Sequence, residues 1–137
     1  MAPFFTIKGG KKLKGDIEVR GAKNAALKAF ASALLFDEPI TIKNVPEVED
    51  IKRISEIIEN GGGKVKHIRH GEYKIWGYVT NHVINPELAS RIRASIVLTG
   101  PILAKLGKVK FPHPGGCIIG KRPIDVFIDG FKAFGEG

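Results

Sequence analysis

Cysteine is nearly absent. The 137 residues contain one, Cys117, which excludes an internal disulfide framework and a cysteine-based zinc site. The four histidines, His67, His70, His82 and His113, show no ligand spacing, so no metal site is expected. Long apolar runs are missing too. None approaches the ~18 residues of a membrane span, and the opening stretch MAPFFTIKGGKKLKG has no continuous apolar core followed by a small-residue cleavage site. A cytoplasmic location with no membrane partner follows as the default. Aromatic residues make up only 8% of the chain. They are not interleaved with lysine and arginine along a strand, as in a single-strand nucleic-acid binder, so no nucleic-acid partner is expected. Phe30, Phe36, Phe127, Phe131 and Phe134 fall in apolar helical patterns and read as core, and only Tyr73, Trp76 and Tyr78 form a local cluster. No Walker pattern, dinucleotide fingerprint or serine–histidine arrangement occurs, and no cofactor is expected.

What is present is a core and an excess of positive charge. Hydrophobic residues make up 43% of the chain, enough for one globular domain. The formal charge is +8, and with a pI near 9.7 it points to an anionic substrate or partner.

Ile7 and then Asp16–Arg20 (DIEVR), with Ile17 and Val19 alternating, read as short strands. Gly21 ends the second. KNAALKAFASALLF, from Lys23, is apolar nearly all round and predicts a helix buried on most sides. Ile40 and Ile42 mark a strand. DIKRISEIIEN, Asp50 to Asn60, places Ile51, Ile54, Ile57 and Ile58 on one helical face, and Gly61–Gly63 end it. Val65–Ile68 and Tyr73–Tyr78 form a hairpin turning near His70-Gly71.

The second half repeats this order at a period of roughly 70 residues. Val83-Ile84 read as a short strand, and Pro86 opens a helix from Glu87 to about Leu98, continuing through Pro101 to Leu106. KVKF, with Val109 and Phe111, matches the strand at Ile40. Pro123–Phe134 is a second amphipathic helix with Ile124, Phe127, Ile128, Phe131 and Phe134 as its stripe. The strand-to-helix connection is short in the first copy, Asn44 to Glu47, and much longer in the second. There the added residues include Pro114-Gly115-Gly116-Cys117. Such an insertion in a repeated scaffold is a common place for function. The second copy lacks the hairpin that ends the first, and strand edges at an interrupted repeat could pair with another chain.

Four places could carry chemistry. Lys23 and Asn24 follow Gly21 at a strand-to-helix turn, where side chains and free helix amides can face an anion; an ordinary helix start explains them equally well. Arg91 and Arg93, two apart on a helix, point about 200° from one another; Arg93, followed by Ala94-Ser95, is the better ligand-facing cation. Cys117 lies among Gly115, Gly116 and Gly120 with Lys121 and Arg122 downstream, a setting for an accessible, partly ionised thiol, although free cysteines are more often small buried hydrophobes. Arg122-Pro123-Ile124-Asp125 puts a guanidinium at a helix start, which suits a phosphate or diphosphate, while Asp125 also suits the helix dipole alone.

GAKNAAL (Gly21–Leu27), NVP (Asn44–Pro46), RAS (Arg93–Ser95), Gly100-Pro101 and PGGCIIGKRPID (Pro114–Asp125), in this order and at these distances, resemble the N-terminal part of the UDP-N-acetylglucosamine 1-carboxyvinyltransferases, in the EPSP synthase superfamily. The resemblance spans essentially the whole chain. The PGGC loop separates this family from the enolpyruvylshikimate-phosphate synthases, which lack it.

The resemblance implies an α/β fold: an inside-out barrel of two domains built from βαβαββ units. Residues 1–20 would belong to the family's second domain, and 21–137 to a partial first domain. It implies transfer of the enolpyruvyl group from phosphoenolpyruvate to the 3′-hydroxyl of UDP-N-acetylglucosamine with release of phosphate, the step that opens peptidoglycan synthesis. Cys117 would donate the proton and carry a covalent phosphoenolpyruvate adduct, and fosfomycin would alkylate it. Lys23 and Asn24 would contact phosphoenolpyruvate. Arg93, Arg122, Pro123, Ile124, Asp125 and Val126 would contact the UDP-sugar. Members of the family continue for several hundred residues, including an aspartate base and further arginines, so the 137 residues alone are expected to be inactive. The competing readings are a non-catalytic chain that binds a nucleotide-sugar or another anion, and a basic nucleic-acid-binding module.

Overall fold

The computed structural model of the chain describes residues 3–115 and 123–135. Five α-helices and three strands occur among them: α1 (Lys23–Ser32), β1 (Ile40–Ile42), α2 (Glu49–Asn60), β2 (Lys64–Arg69), β3 (Glu72–Trp76), α3 (Pro86–Ser90), α4 (Thr99–Leu106) and α5 (Asp125–Ala133), with 3-10 turns at Ala33–Leu35 and Arg93–Leu98. The strands form one antiparallel sheet in the order β1-β3-β2. Register is set by Ile40 opposite Ile75 and Val65 opposite Ile75, so Ile40, Ile42, Val65, Tyr73 and Ile75 share one face.

That face lies on α1 and α2. Ile51, Ile54, Ile57 and Ile58 recur at helical spacing on α2 and are all buried, as the periodicity predicts. They meet Phe30, Leu34 and Ile75, and the Phe30 and Tyr73 rings sit 5.4 Å apart in a tilted pair. Burial of each such side chain contributes about 1.5–3 kcal/mol. The first turn of α2 carries Glu49 and Asp50, favourable beside the positive end of the helix. Its other end closes through Gly62 at φ 102°, where the chain reverses into β2. Gly71, at φ 70°, makes the hairpin turn.

Four expectations are corrected. Residues 3–20 contain neither of the strands read at Ile7 and Asp16–Arg20. No strand pairs with them, and an extended segment without a neighbour leaves its amides to water. Phe4, Phe5, Ile7, Leu13, Ile17 and Val19 are accordingly exposed. Helix α1 is buried on one side only, through Ala26, Leu27, Phe30 and Ala31, while Ala25, Lys28 and Ser32 face solvent. Of the five phenylalanines read as core only Phe30 is buried: Phe36, Phe127 and Phe134 are exposed and Phe131 half-buried. No described strand covers the α5 stripe, whereas β2 and β3 follow α2.

The long helix expected from Glu87 is broken. Asn85 caps α3, its side-chain oxygen accepting from the Glu87 and Leu88 amides at 2.9 and 3.2 Å, but α3 ends at Ser90 and Ile92 is extended. In a continuous helix the Ala89 carbonyl would accept from the amide four residues on. Here it accepts from the Ile92 amide, three residues on, and from the Gly115 amide, both at 3.3 Å, and from the Ser95 hydroxyl at 3.4 Å. The strands read at Val83-Ile84 and KVKF do meet, as an isolated parallel bridge between Val83 and Lys110.

Candidate active-site residues and their support

Two groups of candidate residues are each brought together. The first is built at the start of α1. Gly21 packs so tightly on Asn44 that a Cβ there would lie 1.8 Å from the Asn44 carbonyl oxygen, which requires glycine on steric grounds alone. The Gly21 amide donates to Asn44 Oδ1 at 3.1 Å, and Asn44 itself adopts φ 56°, a conformation asparagine tolerates better than most residues. Lys23 and Asn24, both exposed, follow in the first turn of α1. The Lys23 ammonium lies 2.6 Å from Asp50 Oδ2, so the starts of α1 and α2 are side by side and the cation is held at their shared end. Both side chains are partly open to solvent, so the ion pair itself adds at most about 1 kcal/mol. Its effect is placement.

The Asn44 turn is fixed in its turn by Glu47. This carboxylate accepts from the Gly71 amide at 2.8 Å and the Tyr73 hydroxyl at 3.1 Å, and His67 Nε2 lies 3.1 Å from it. The Gly71 hydrogen bond is the largest influence holding the Glu47 carboxyl below its ordinary pKa; partial burial opposes it, while Tyr73 and the nearby His67 and His70 reinforce it. Burial, then the bond to Glu47, raises the Tyr73 phenol. Val45 donates to the Gly71 carbonyl at 3.0 Å, which completes the tie between the connection and the hairpin.

The second group centres on the Ala89 carbonyl. Through it the RAS segment, by Ser95, and the root of the glycine-rich loop, by Gly115, are bound to the end of α3. Pro114 is buried there, and a Cβ on Gly115 would lie 1.8 Å from the Ser90 carbonyl oxygen. Arg93 is half-buried at the first position of its 3-10 turn. Arg91 is on the surface, paired with Glu87; the break at Ile92 puts the two arginines on different elements rather than on one helix. On the far side of the loop Ile124 is buried, while Pro123, Asp125 and Val126 are exposed at the start of α5. Cys117, Lys121 and Arg122 lie outside the described residues. A cleft of about 250 Å³ between α4 and α5 is lined by Leu103, Val109, Phe111, Ile128, Phe131 and Lys132 and contains none of the candidate residues.

Sequence reasoning passed over Asn44, Glu47 and Asp50 as functional supports. An asparagine before Val-Pro is a turn signal. Nothing local marks Glu47 or Asp50, whose partners come from other elements.

The family model of EPSP synthase (3-phosphoshikimate 1-carboxyvinyltransferase) matches residues 7–136. The chain belongs to the EPSP synthase family. Among curated members of this enolpyruvyl-transferase family, UDP-N-acetylglucosamine 1-carboxyvinyltransferase 3 of Caldanaerobacter subterraneus subsp. tengcongensis is 48% identical over 132 residues, covering 96% of this chain and 31% of that protein. UDP-N-acetylglucosamine 1-carboxyvinyltransferase of Prochlorococcus marinus NATL1A is 43% identical over 133 residues, with 97% and 29% covered. The chain thus spans less than a third of the length of these relatives. The crystal structure of the enolpyruvyl transferase NikO from Streptomyces tendae superposes on 93% of this chain and 28% of that one, with a TM-score of 0.74 at 20% identity. That likeness establishes the fold.

Proposed function

We propose that this EPSP synthase family chain is the N-terminal portion of a UDP-N-acetylglucosamine 1-carboxyvinyltransferase, carrying part of its inside-out α/β barrel and the thiol side of its site. The reading is carried by 48% identity, over nearly the whole chain, to a protein of that name. The geometry agrees with it: the root of the Cys117 loop and the RAS turn share one carbonyl.

In this reading the Cys117 thiol protonates C3 of phosphoenolpyruvate while the sugar 3′-hydroxyl adds to C2 and gives up its proton to the aspartate base that the family carries beyond these residues. The resulting tetrahedral intermediate then loses phosphate, and C3 returns a proton to re-form the double bond. Lys23 and Asn24, at the open end of α1, bind phosphoenolpyruvate. There Asp50 keeps the ammonium in place without burying it. Arg93 and the run Arg122, Pro123, Ile124, Asp125 and Val126 bind the UDP-sugar, where the start of α5 offers amides to a diphosphate. The step opens peptidoglycan synthesis in the cytoplasm. By themselves the 137 residues are inactive, because the relatives supply more than twice as much chain again.

Fosfomycin, the epoxide that alkylates this family's loop cysteine, tests the reading. Mass spectrometry of the treated chain should show one adduct on Cys117, formed faster with UDP-N-acetylglucosamine present and absent from Cys117→Ser. Labelling no faster than that of a free-thiol control, with or without the sugar, would overturn it.

A further inference from the structure

The outer face of the sheet gathers three lysines around the chain's one tryptophan. Register places Lys64 opposite Trp76 and Lys66 opposite Lys74, so these four side chains share the face away from Val65 and Ile75. The ammonium groups of Lys64 and Lys74 lie 5.2 and 5.4 Å from the centre of the Trp76 ring. Elsewhere among the described residues Lys23, Lys52, Arg53, Arg69, Arg91 and Lys105 each have a carboxylate within ion-pair distance, while Lys28, Lys43, Lys108 and Lys110 do not but are scattered rather than clustered on one sheet face. Lys64, Lys66 and Lys74 have none among the described residues. Three uncompensated cations within two pleats of sheet repel one another, and an anionic partner would relieve that repulsion.

We propose that this lysine–tryptophan face docks an acidic segment of a partner protein. A second copy of the chain is the wrong occupant, because two bodies of charge +8 repel. The remainder of a longer chain is also a poor fit, since interface cores are depleted in lysine. The exposed Phe127 of α5 and Phe134 at its end suit that role instead. Nucleic acid would need an open aromatic face for stacking, and the single indole is already flanked by two ammonium groups. Lysine ammoniums act as separate point charges and suit carboxylates spaced along a peptide, with the indole between them offering apolar contact. The segment lies across the face rather than along the edge of β2. That edge is blunted, because Glu59 Oε1 takes the Val65 amide at 3.3 Å and a bulge interrupts the ladder between His67 and Arg69.

Trp76 is the chain's only tryptophan, so its emission reports on this face alone. Titration of the full 137-residue chain with a poly-glutamate peptide should give a saturable change in that emission, weakening as salt is added. The triple variant K64E/K66E/K74E should bind at least about tenfold more weakly, while K8E/K11E/K12E, in the exposed N-terminal segment, should stay within about twofold of the parent. Far-UV circular dichroism confirms that both variants fold. The proposal fails if poly-glutamate leaves Trp76 unchanged, or if both triple variants lose binding equally. It fails as well if a thymidine oligonucleotide or anionic phosphatidylglycerol vesicles change the emission at lower concentration than the peptide.

Discussion

Replacing Gly21 with alanine should unfold the support of Lys23 without touching Lys23. The new methyl would sit 1.8 Å from the Asn44 carbonyl oxygen and 3.0 Å from its carbonyl carbon, both main-chain atoms that no rotamer change can move aside. Relief requires a backbone shift in the Gly21 turn or the Asn44 turn. Overpacking of this kind costs about 1–3 kcal/mol. The shift also lengthens the 3.1 Å bond from the Gly21 amide to Asn44 Oδ1, worth about 0.5–1.5 kcal/mol. A total of about 2–4 kcal/mol is a large share of the roughly 5–15 kcal/mol that holds a domain together. With a urea slope of about 2 kcal/mol per molar, the unfolding midpoint should fall by about 1–2 M. Trp76, on β3 of the same sheet, supplies the fluorescence signal. Gly130→Ala is the internal control. It lies in α5 with nothing within 4 Å of its Cβ position, and there alanine should stabilise the helix by up to about 1 kcal/mol. A Gly21→Ala midpoint within about 0.2 M of the parent would refute the packing argument, whatever Gly130→Ala does.

Two further outcomes are expected. Ile54→Ala empties a fully buried position between α2 and the sheet and should cost about 2–5 kcal/mol in the same urea assay, with little change in slope. Glu47→Gln should cost stability in a pH-dependent way. A carboxyl whose folded pKa is lowered contributes stability that is fully present above its ordinary value near 4.5 and is lost as the pH falls through the folded value. The midpoints of parent and variant should therefore differ at neutral pH and converge in acid. A gap that persists or widens in acid would refute the account of Glu47.

Local periodicity was enough for α1, β1, α2 and the hairpin, because each carries its signal in its own residues: the isoleucines of α2 mark their own buried face, and His70-Gly71 mark their own turn. It failed where distant residues decide. Alternation at Ile17 and Val19 describes a strand only if another strand lies beside it, and none does among the described residues. The run after Glu87 is helical in composition, but the Ala89 carbonyl is taken by a tight turn from Ile92 and also by Gly115, far along the chain, and the helix ends there. The phenylalanines of α5 recur at core spacing, yet Phe131 only half enters the cleft beside α4 and Phe127 and Phe134 stay exposed. The site divides in the same way. Residue type and order marked Lys23, Asn24 and Arg93 as candidates and Asn44 as a turn, whereas Asp50 and Glu47 hold their neighbours through bonds between elements and carry no mark in the sequence around them.

The contact of Gly115 with α3 has a consequence for inheritance. Of the two repeated units, only the second has a short helix before its 3-10 turn, and only the second has the long connection. Because the backbone of one rests directly on the last residues of the other, neither can be exchanged by itself. Moving the glycine-rich connection into the first unit, or into another protein of this fold, would leave its root without a seat unless Pro86–Ser90 travelled with it. Position 115 would also have to remain glycine in every such transplant. The helix and the loop are thus one heritable module, divided in sequence and joined at a single carbonyl.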